Sequence, residues 1–190
     1  MFKRTSWVAG VALAVATLVS TSVAQAAQYK VDPNHNGVVF EIGHLNISKV
    51  YGKFTKLSGT VEYDPANVEA SKFDLTVEAA SIDTGNEARD KHLRSADFFN
   101  VEQHPTITFK STRVVKDDKD ELKVTGELTL LGVTKTVTIE IEVKGPAQKG
   151  QYGFTTDLDI KRSDFGMKYG IPMIADKVEL DISFEVLQAE

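Results

Sequence analysis

The sequence predicts an all-β protein, a closed antiparallel barrel of eight strands with a short helix between the third and fourth strands. Apolar and polar residues alternate with period two along eight segments, which is typical of strands with one buried side. Turn signals such as Asp64-Pro65 and "KGPAQKG" separate most segments, and short connections favour antiparallel neighbours. Closing one layer of eight strands on itself covers the apolar face and removes both sheet edges.

The eight predicted strands follow one another along nearly the whole chain. In the sixth of them, for example, Ile139 and Ile141 face the side opposite to Glu140. The second is the longest, and its residues Gly52 and Gly59 indicate bends or bulges. In chain order, the segments cover residues 38–42, 50–63, 72–81, 105–115, 121–130, 136–144, 151–162 and 177–187.

The short helix is predicted within the charged segment "SIDTGNEARDKHLRSADFF", residues 81–99. Thr84 followed by Glu87 has the spacing of a capping box, and Glu87–Lys91 and Asp90–Arg94 have the spacing of intrahelical ion pairs. The sequence therefore predicts a capped, salt-bridged helix that plugs one end of the barrel. The apolar side chains that can face inward beneath it are Ala88, Leu93, Phe98 and Phe99.

The same density of charges is also what an active site would show. Catalysis by His92 would require a carboxylate and a nucleophile held against the ring, and the sequence indicates no such nucleophile. We therefore predict no enzymatic activity. The histidines lack the spacing of zinc ligands and the chain has no cysteine, so no metal site is predicted.

The connection between the last two strands, "SDFGMKYGIPMIAD", is unusually apolar for a loop. Loops on a protein surface rarely carry this many large apolar side chains, so these residues should cover something. Two interpretations remain open, namely a plug over a filled core and a lid or mouth for an apolar ligand.

The amino terminus has the pattern of an export signal. Lys3 and Arg4 precede an apolar run over residues 7–19, and Ala24-Gln25-Ala26 fits a signal-peptidase site. The apolar run is too short for a permanent membrane span, which needs roughly 20 apolar residues. The sequence therefore predicts a signal peptide over residues 1–26 and a single domain over residues 27–190.

Composition excludes several classes of partner. The net charge is −5, no basic run exists, and removal of Lys3 and Arg4 makes the mature chain more acidic still. Nucleic acid and anionic lipid headgroups both require clustered Lys and Arg, so neither is an expected partner. A chain of this length buries roughly 70% of its unfolded surface, which explains how it can fold without disulfides.

Several segments, in order, resemble the YceI-like polyisoprenoid-binding proteins. The resemblance covers nearly all of the predicted mature chain. It rests on "VDPNHNGVVFEIGHL", "YGKFTKLSGTV", "SIDTGNEARDKHLRSADFFNVEQHPTITFKS", "GELTLLGVTKTVTIEI" and "RSDFGM". One small departure is Asn36, where members of the family often have Ser after the motif's histidine. The resemblance implies an extended, lipocalin-like eight-stranded antiparallel barrel, usually periplasmic, whose apolar pore holds a long isoprenoid or similar amphiphilic lipid. It implies no catalytic residues.

The leading hypothesis is therefore a periplasmic lipid-binding protein with no cofactor other than a bound isoprenoid lipid or isoprenoid quinone. Its oligomeric state is left open, with a homodimer as one option. The candidate pore residues are Phe40, Ile42, Leu75, Val77, Ile107, Phe109, Leu128, Ile139, Ile141, Phe154, Leu158, Leu180 and Ile182. The residues that would shape the mouth are Phe165, Met167, Ile171 and Met173.

Two alternatives remain. One is a filled barrel that serves an envelope stress response or an interaction without a lipid ligand. The other is an enzyme that acts on a lipid, with His92 or His44 as acid or base. Periodicity alone does not distinguish a pore from a filled core, because it identifies the inward face of a strand but not what lies opposite that face.

Overall fold

The computed structural model describes residues 26–189, and these residues form ten strands and one α-helix. The predicted signal peptide lies outside the described residues except for Ala26. The elements are β1 (Ala27–His44), β2 (Ser48–Phe54), β3 (Leu57–Tyr63), β4 (Lys72–Glu78), β5 (Ile82–Asp83), α1 (Glu87–Leu93), β6 (Thr106–Asp118), β7 (Glu121–Leu130), β8 (Val133–Lys144), β9 (Tyr152–Lys161) and β10 (Ile174–Gln188). Among the described helices, none is long and apolar enough to cross a membrane.

Pairing of β1 with β10 closes the sheet, and all ladders are antiparallel. The predicted barrel of eight strands is confirmed, since β10, β9, β8, β7, β6, β4, β3 and β1 form a closed ring. β2 and β5 are additional strands beside it. The single strand predicted over residues 50–63 is in fact β2 and β3, which separate at Thr55 and Lys56. Helix α1 lies between β4 and β6, as predicted.

β1 is longer than predicted because it continues through an interruption at residues 32–35. The Asp32 carboxylate accepts hydrogen bonds from the Asn34 backbone N–H at 2.8 Å and binds the His35 ring at 2.8 Å, while Asn36 donates its side-chain N–H to the Asp32 carbonyl at 2.7 Å. These contacts hold the four residues in a compact turn. β1 then resumes its pairing with β10, from Asn36 opposite Phe184 onward.

The interior of the barrel is filled at one end only, which we call the base half. Phe154 lies at its centre, with ring centroids of Tyr63, Phe73 and Phe184 at 5.6, 5.3 and 5.4 Å. Tyr152 adds edge-on contacts to Tyr63 at 4.9 Å and to Tyr29 at 5.6 Å. Aromatic rings in such arrangements bury large areas and add specific ring–ring attraction.

Burial changes along single strands as they leave the base half. On β10, Phe184 and Val186 are buried, whereas Val178, Leu180 and Ile182 on the same face are only half-buried. The other end of the barrel, which we call the mouth half, therefore has an unfilled interior.

β8 and β9 pair only in the base half. Their ladder is limited to residues 142–144 of β8 opposite residues 153–155 of β9, whereas β8 pairs with β7 along its whole first part. A 3-10 turn at Arg162–Phe165, which follows β9, contacts β8. The connection after β9 is thus part of the barrel wall as well as part of the barrel end.

The Asp32–His35 contact predicts a pH-dependent stability. The hydrogen bond to Asp32 raises the pKa of the His35 imidazole, and the same bond lowers the pKa of Asp32. Because the folded-state pKa of His35 is raised, its stabilising contribution is complete below the ordinary imidazole value of about 6.5 and is lost as pH rises through the folded value. His35→Gln should therefore lower the melting temperature more at pH 6 than at pH 9.

Thermal unfolding of both proteins across that range measures the effect. Thr136→Ser, at an exposed position of β8, serves as a control without a titrating group. An equal loss of stability at both pH values would show that the charged form of His35 contributes nothing.

Candidate ligand cavity

The mouth half encloses an apolar cavity of about 790 Å³. Its walls come from inward-facing residues of β1, β4, β6, β7, β9 and β10, together with β2, and its end is covered by α1 and the connection between β9 and β10. Leu75 and Val77 of β4 and Ile107 of β6 are half-buried in the folded chain because they face this space. A volume of this size is typical of pockets that bind small molecules.

Two glycines bring aromatic rings close to the wall. A side chain at Gly52 would collide with the Phe40 ring, and one at Gly126 would collide with the Phe109 ring. Gly52 pairs regularly with Phe40 in the ladder of β1 and β2. Its function is therefore close ring packing, and the bend that the sequence indicated there is not observed.

Most of the predicted pore residues lie around the cavity. Whether they bind a ligand stays a prediction, since geometry establishes only that they face the space. Those in its lining are Phe40, Ile42, Leu75, Val77, Ile107, Phe109, Leu128, Leu158, Met167, Leu180 and Ile182.

The remaining predicted residues lie elsewhere. Ile139, Ile141 and Phe154 are buried in the packed core away from the cavity. Phe165 is also buried in that core, so it packs the wall from outside the cavity lining. Ile171 and Met173 lie on the outer surface of the connection between β9 and β10, with 39% and 58% of their area exposed.

The structure adds lining residues that the prediction omitted. Val38 and Val178 share alternation faces with Phe40 and Leu180, so their inward direction was readable from the sequence. Phe54 and Leu57, at the junction of β2 and β3, had no such signal because the break between these strands was not predicted. Leu130 and Ile160 likewise share faces with Leu128 and Leu158, and the inward direction of Leu93, Phe98 and Phe99 was predicted with the helix. Further additions that depend on tertiary folding are Val50, Ile82, Tyr169 and Ile174.

Helix α1 is capped by Asn86, whose side chain accepts a hydrogen bond from the Arg89 backbone N–H at 3.0 Å. The capping box predicted at Thr84 and Glu87 is therefore wrong, since the helix begins at Glu87 itself. Thr84 instead donates its backbone N–H and its hydroxyl to the buried Asp90 carboxylate, at 2.9 and 2.6 Å. Asp90 thus fastens the helix to the strand that precedes it.

The predicted intrahelical ion pairs are also wrong. Among the described residues, neither Glu87–Lys91 nor Asp90–Arg94 forms a salt bridge. Arg94 instead donates to the Ala80 carbonyl at 2.8 Å and to the Ile82 carbonyl at 2.7 Å. One carbonyl precedes β5 and the other belongs to its first residue, so Arg94 ties the end of α1 to this strand.

Polar groups in the lining are few and cluster at the mouth. His92 binds the Asp97 carboxylate at 2.9 Å, and its ring packs edge-on against Phe98 and Tyr169 at 5.0 and 5.2 Å. In the described part of the chain, no hydroxyl hydrogen-bonds to the His92 ring. Other polar residues of the lining are His44, Ser48, Arg89, Thr108 and Arg162, and this set contains no carboxylate.

Arg162 holds the connection after β9 in place. Its guanidinium is 2% exposed and donates to the backbone carbonyls of Ala175, Met167 and Ile174 at 2.8, 3.2 and 3.0 Å. Burial lowers the pKa of this guanidinium, and the nearby Asp176 carboxylate opposes that effect. Arg162 was not among the predicted residues, because backbone acceptors that folding brings together from the connection and from the start of β10 leave no pattern in the sequence.

One group of side chains has the proximity of metal ligands. Asp32, His35 and Glu185 place one ligand atom each within 4.8 Å of one another, on the outside of the barrel. The Asp32 oxygens already bind Asn34 and His35, so the turn accounts for this group. It lies on a different part of the molecule from the cavity.

Comparison with known proteins gives consistent matches. A family model for the YceI-like domain matches residues 29–186. Protein YceI of Escherichia coli O157:H7 is 43% identical over 177 residues, which cover 90% of this chain and 92% of the relative. Protein YceI of Salmonella newport has the same identity and coverage.

Solved structures agree with the observed fold. The YceI protein of Campylobacter jejuni is 37% identical, has a TM-score of 0.69, and the match covers 78% of this chain and 90% of that one. BcnA of Burkholderia cenocepacia is 28% identical with a TM-score of 0.76, and the match covers 82% and 98%. A polyisoprenoid binding domain from Saccharophagus degradans shares the fold, with 16% identity, a TM-score of 0.72 and coverage of 86% and 99%.

The contacts of α1 predict that its charged residues act through stability. Asp90→Ala removes the acceptor of two Thr84 donors and should cost about 1–3 kcal/mol of unfolding free energy, because a buried donor is left unsatisfied. Chemical denaturation measures this cost. Glu87→Gln, an exposed change on the same helix, should leave stability unchanged within ~0.5 kcal/mol. Wild-type stability in Asp90→Ala would contradict the structural role of this residue.

Proposed function

Because the chain belongs to the YceI-like domain family, we propose that it binds a long isoprenoid or similar amphiphilic lipid in the barrel cavity and carries it in the periplasm. The observation that carries the proposal is an apolar cavity of about 790 Å³ in the mouth half of the barrel. The polyisoprenoid binding domain of Saccharophagus degradans, which has the same fold, supports an isoprenoid as the ligand class.

The driving force for binding is removal of the lipid chain from water. Each buried CH₂ group contributes roughly 0.8 kcal/mol, and the loss of freedom of a flexible chain offsets part of the total. Strand residues such as Val77, Leu158 and Leu180 supply the apolar wall. Affinity in this mechanism depends on chain length more than on a single polar contact.

The polar end of the lipid should lie at the mouth. The Arg89 guanidinium and the Ser48 hydroxyl contribute donors there. Because no carboxylate is in the lining, this set suits a polar end with hydrogen-bond acceptors, such as the carbonyl oxygens of an isoprenoid quinone. A cationic amphiphile would find no ionised partner in that lining.

The two alternative functions fit the structure less well. A filled barrel describes the base half, where Phe154 is packed against neighbouring rings, but it does not describe the mouth half. An enzymatic role for His92 has a carboxylate, Asp97, within reach, yet no hydroxyl nucleophile binds the ring among the described residues. We therefore propose a binding protein without catalytic activity.

Periplasmic localisation is tested at the amino terminus. Cleavage after Ala26 should give an exported protein that begins at Ala27, immediately at the start of β1. N-terminal sequencing of protein isolated from the cell envelope measures this directly. Recovery of the intact Met1 end in that fraction would contradict the proposed signal peptide.

The cavity is tested by two tryptophan substitutions on inward faces. Val77→Trp places the ring in the cavity, so the ligand-free protein should unfold near the wild-type temperature while co-purified lipid falls sharply. Ile141, by contrast, is 2% exposed in the packed core, and Ile141→Trp should cost ~1–3 kcal/mol or more through overpacking. Native mass spectrometry of protein from its own envelope gives the lipid stoichiometry, and thermal unfolding gives the stability.

Glu140→Gln, on the outward face beside Ile141, is the matched control and should change neither quantity. If Val77→Trp destabilised the protein as much as Ile141→Trp, and the parent protein carried no lipid, the mouth half would behave as a filled core. That result would reject the proposed function.

A further inference from the structure

Five large apolar side chains are exposed together beside the cavity mouth. We call them the apolar rim, and they are Leu45, Ile47, Tyr169, Ile171 and Met173. Ile47 is 83% exposed and Met173 is 58% exposed, with the other three between 39% and 47%. Large apolar side chains scattered singly on a surface need no explanation, but a contiguous group of them does.

Two loops build the rim and are joined by a backbone hydrogen bond. The β1–β2 turn closes where the Ile47 N–H donates to the His44 carbonyl at 3.1 Å, and the Leu45 N–H donates to the Met173 carbonyl at 2.6 Å. Residues 45–47 and 169–173, which form the two tips, include no charged side chain. The rim is thus one uncharged, protruding surface on neighbouring loops.

The turn holds Leu45 in an unfavourable backbone conformation. Leu45 and Asn46 have φ angles of 55° and 57°, in the left-handed region that glycine and asparagine adopt most readily. A leucine at the first of these positions costs stability relative to either of those residues. Leu45 remains 39% exposed, so burial within this chain covers only part of its apolar surface.

The rim continues directly into the cavity. His44 and Ser48 flank the β1–β2 tip and line the cavity, as does Ile174, which follows Met173. Tyr169 belongs to both surfaces, and its ring packs against His92 and Phe98 at the mouth. A ligand that leaves the cavity past these residues therefore meets the apolar rim.

We propose that the apolar rim inserts into the interfacial layer of a lipid bilayer and so places the cavity mouth against the membrane. The inference rests on the proposed function, because a carrier of long-chain lipid must collect and release its ligand at a membrane. Amphipathic surfaces bind bilayers by burying apolar side chains at the boundary of headgroups and acyl chains. Uncharged apolar tips on two loops have the chemistry for this contact.

The size and charge of the rim favour a bilayer over a second copy of the chain. A stable protein interface buries about 800 Å² on each partner, which is more than five side chains on two narrow loops present. At the opposite end of the barrel, the turn over residues 117–121 holds four acids and one base, Lys119, so its net charge is −3. Headgroup phosphates would repel that end, so the charge distribution favours the rim as the surface that faces a membrane.

Because the chain has a net charge of −5, docking must be driven by apolar contact. Partition onto neutral phosphatidylcholine vesicles should therefore occur at physiological salt and change little when salt is raised. A docking driven by basic residues would instead require anionic lipid and would weaken steeply with salt.

The test is vesicle flotation with phosphatidylcholine liposomes and the full chain after signal removal. The double variant Ile47→Asn/Met173→Asn should lower the partition coefficient by roughly tenfold or more, given the burial lost per side chain. Both positions are highly exposed, so folding should be retained, and thermal unfolding checks this. Leu187→Asn, an exposed leucine at the opposite end of β10, is the matched control and should leave partition unchanged.

Ligand binding measured without vesicles separates the function of the cavity from that of the apolar rim. Binding of the apolar fluorophore N-phenyl-1-naphthylamine without vesicles should be equal in the wild type and the double variant. If the wild type floated with vesicles but bound no fluorophore and no lipid, lipid carriage would be rejected and docking supported. Equal flotation of the wild type and the double variant would overturn the docking proposal. So would a concentration-dependent dimer that the double variant dissociates, together with no flotation of the wild type.

Discussion

The pairing of β1 with β10 is the contact on which the rest of the molecule depends, because it turns a twisted sheet into a closed tube. A barrel of eight strands has an interior just wide enough for side chains to fill or for one small ligand. In this protein the interior is divided into a packed half and an unfilled half. The aromatic side chains around Phe154 fill the base half, and the mouth half is left as a cavity.

The mouth half must be stabilised by contacts other than core packing. An unfilled apolar space lacks the contacts that stabilise an ordinary interior. Polar side chains at the mouth provide that support by binding backbone groups. Asp90 receives two donors from Thr84, Arg94 serves the carbonyls of Ala80 and Ile82, and Arg162 serves three carbonyls around the β9–β10 connection.

The sequence predicted the strands and their inward faces well, because alternation depends only on local chain geometry. It did not predict depth along the barrel, since Val77 and Ile141 have the same pattern yet lie in the cavity and in the packed core. The cap at Asn86 was missed because Thr84, two residues earlier, has the capping-box spacing to Glu87. The partners of Arg94 and Arg162 were missed because backbone carbonyls brought together by folding have no sequence signature.

The most densely charged segment of the chain is not the proposed binding site, and this has a physical reason. Charged side chains cluster in residues 81–99 because that segment crosses the barrel end, where strand ladders stop and backbone groups lose their partners. A long apolar ligand needs the opposite, namely a smooth wall with few polar groups, since each unsatisfied polar group buried under the ligand would cost free energy. The residues that would bind lipid are therefore ordinary strand residues such as Leu75, Leu158 and Leu180, which differ from core residues only in what lies opposite them. In the proposed lipid-binding role, the charged segment builds the mouth and the plain apolar strand residues form the site.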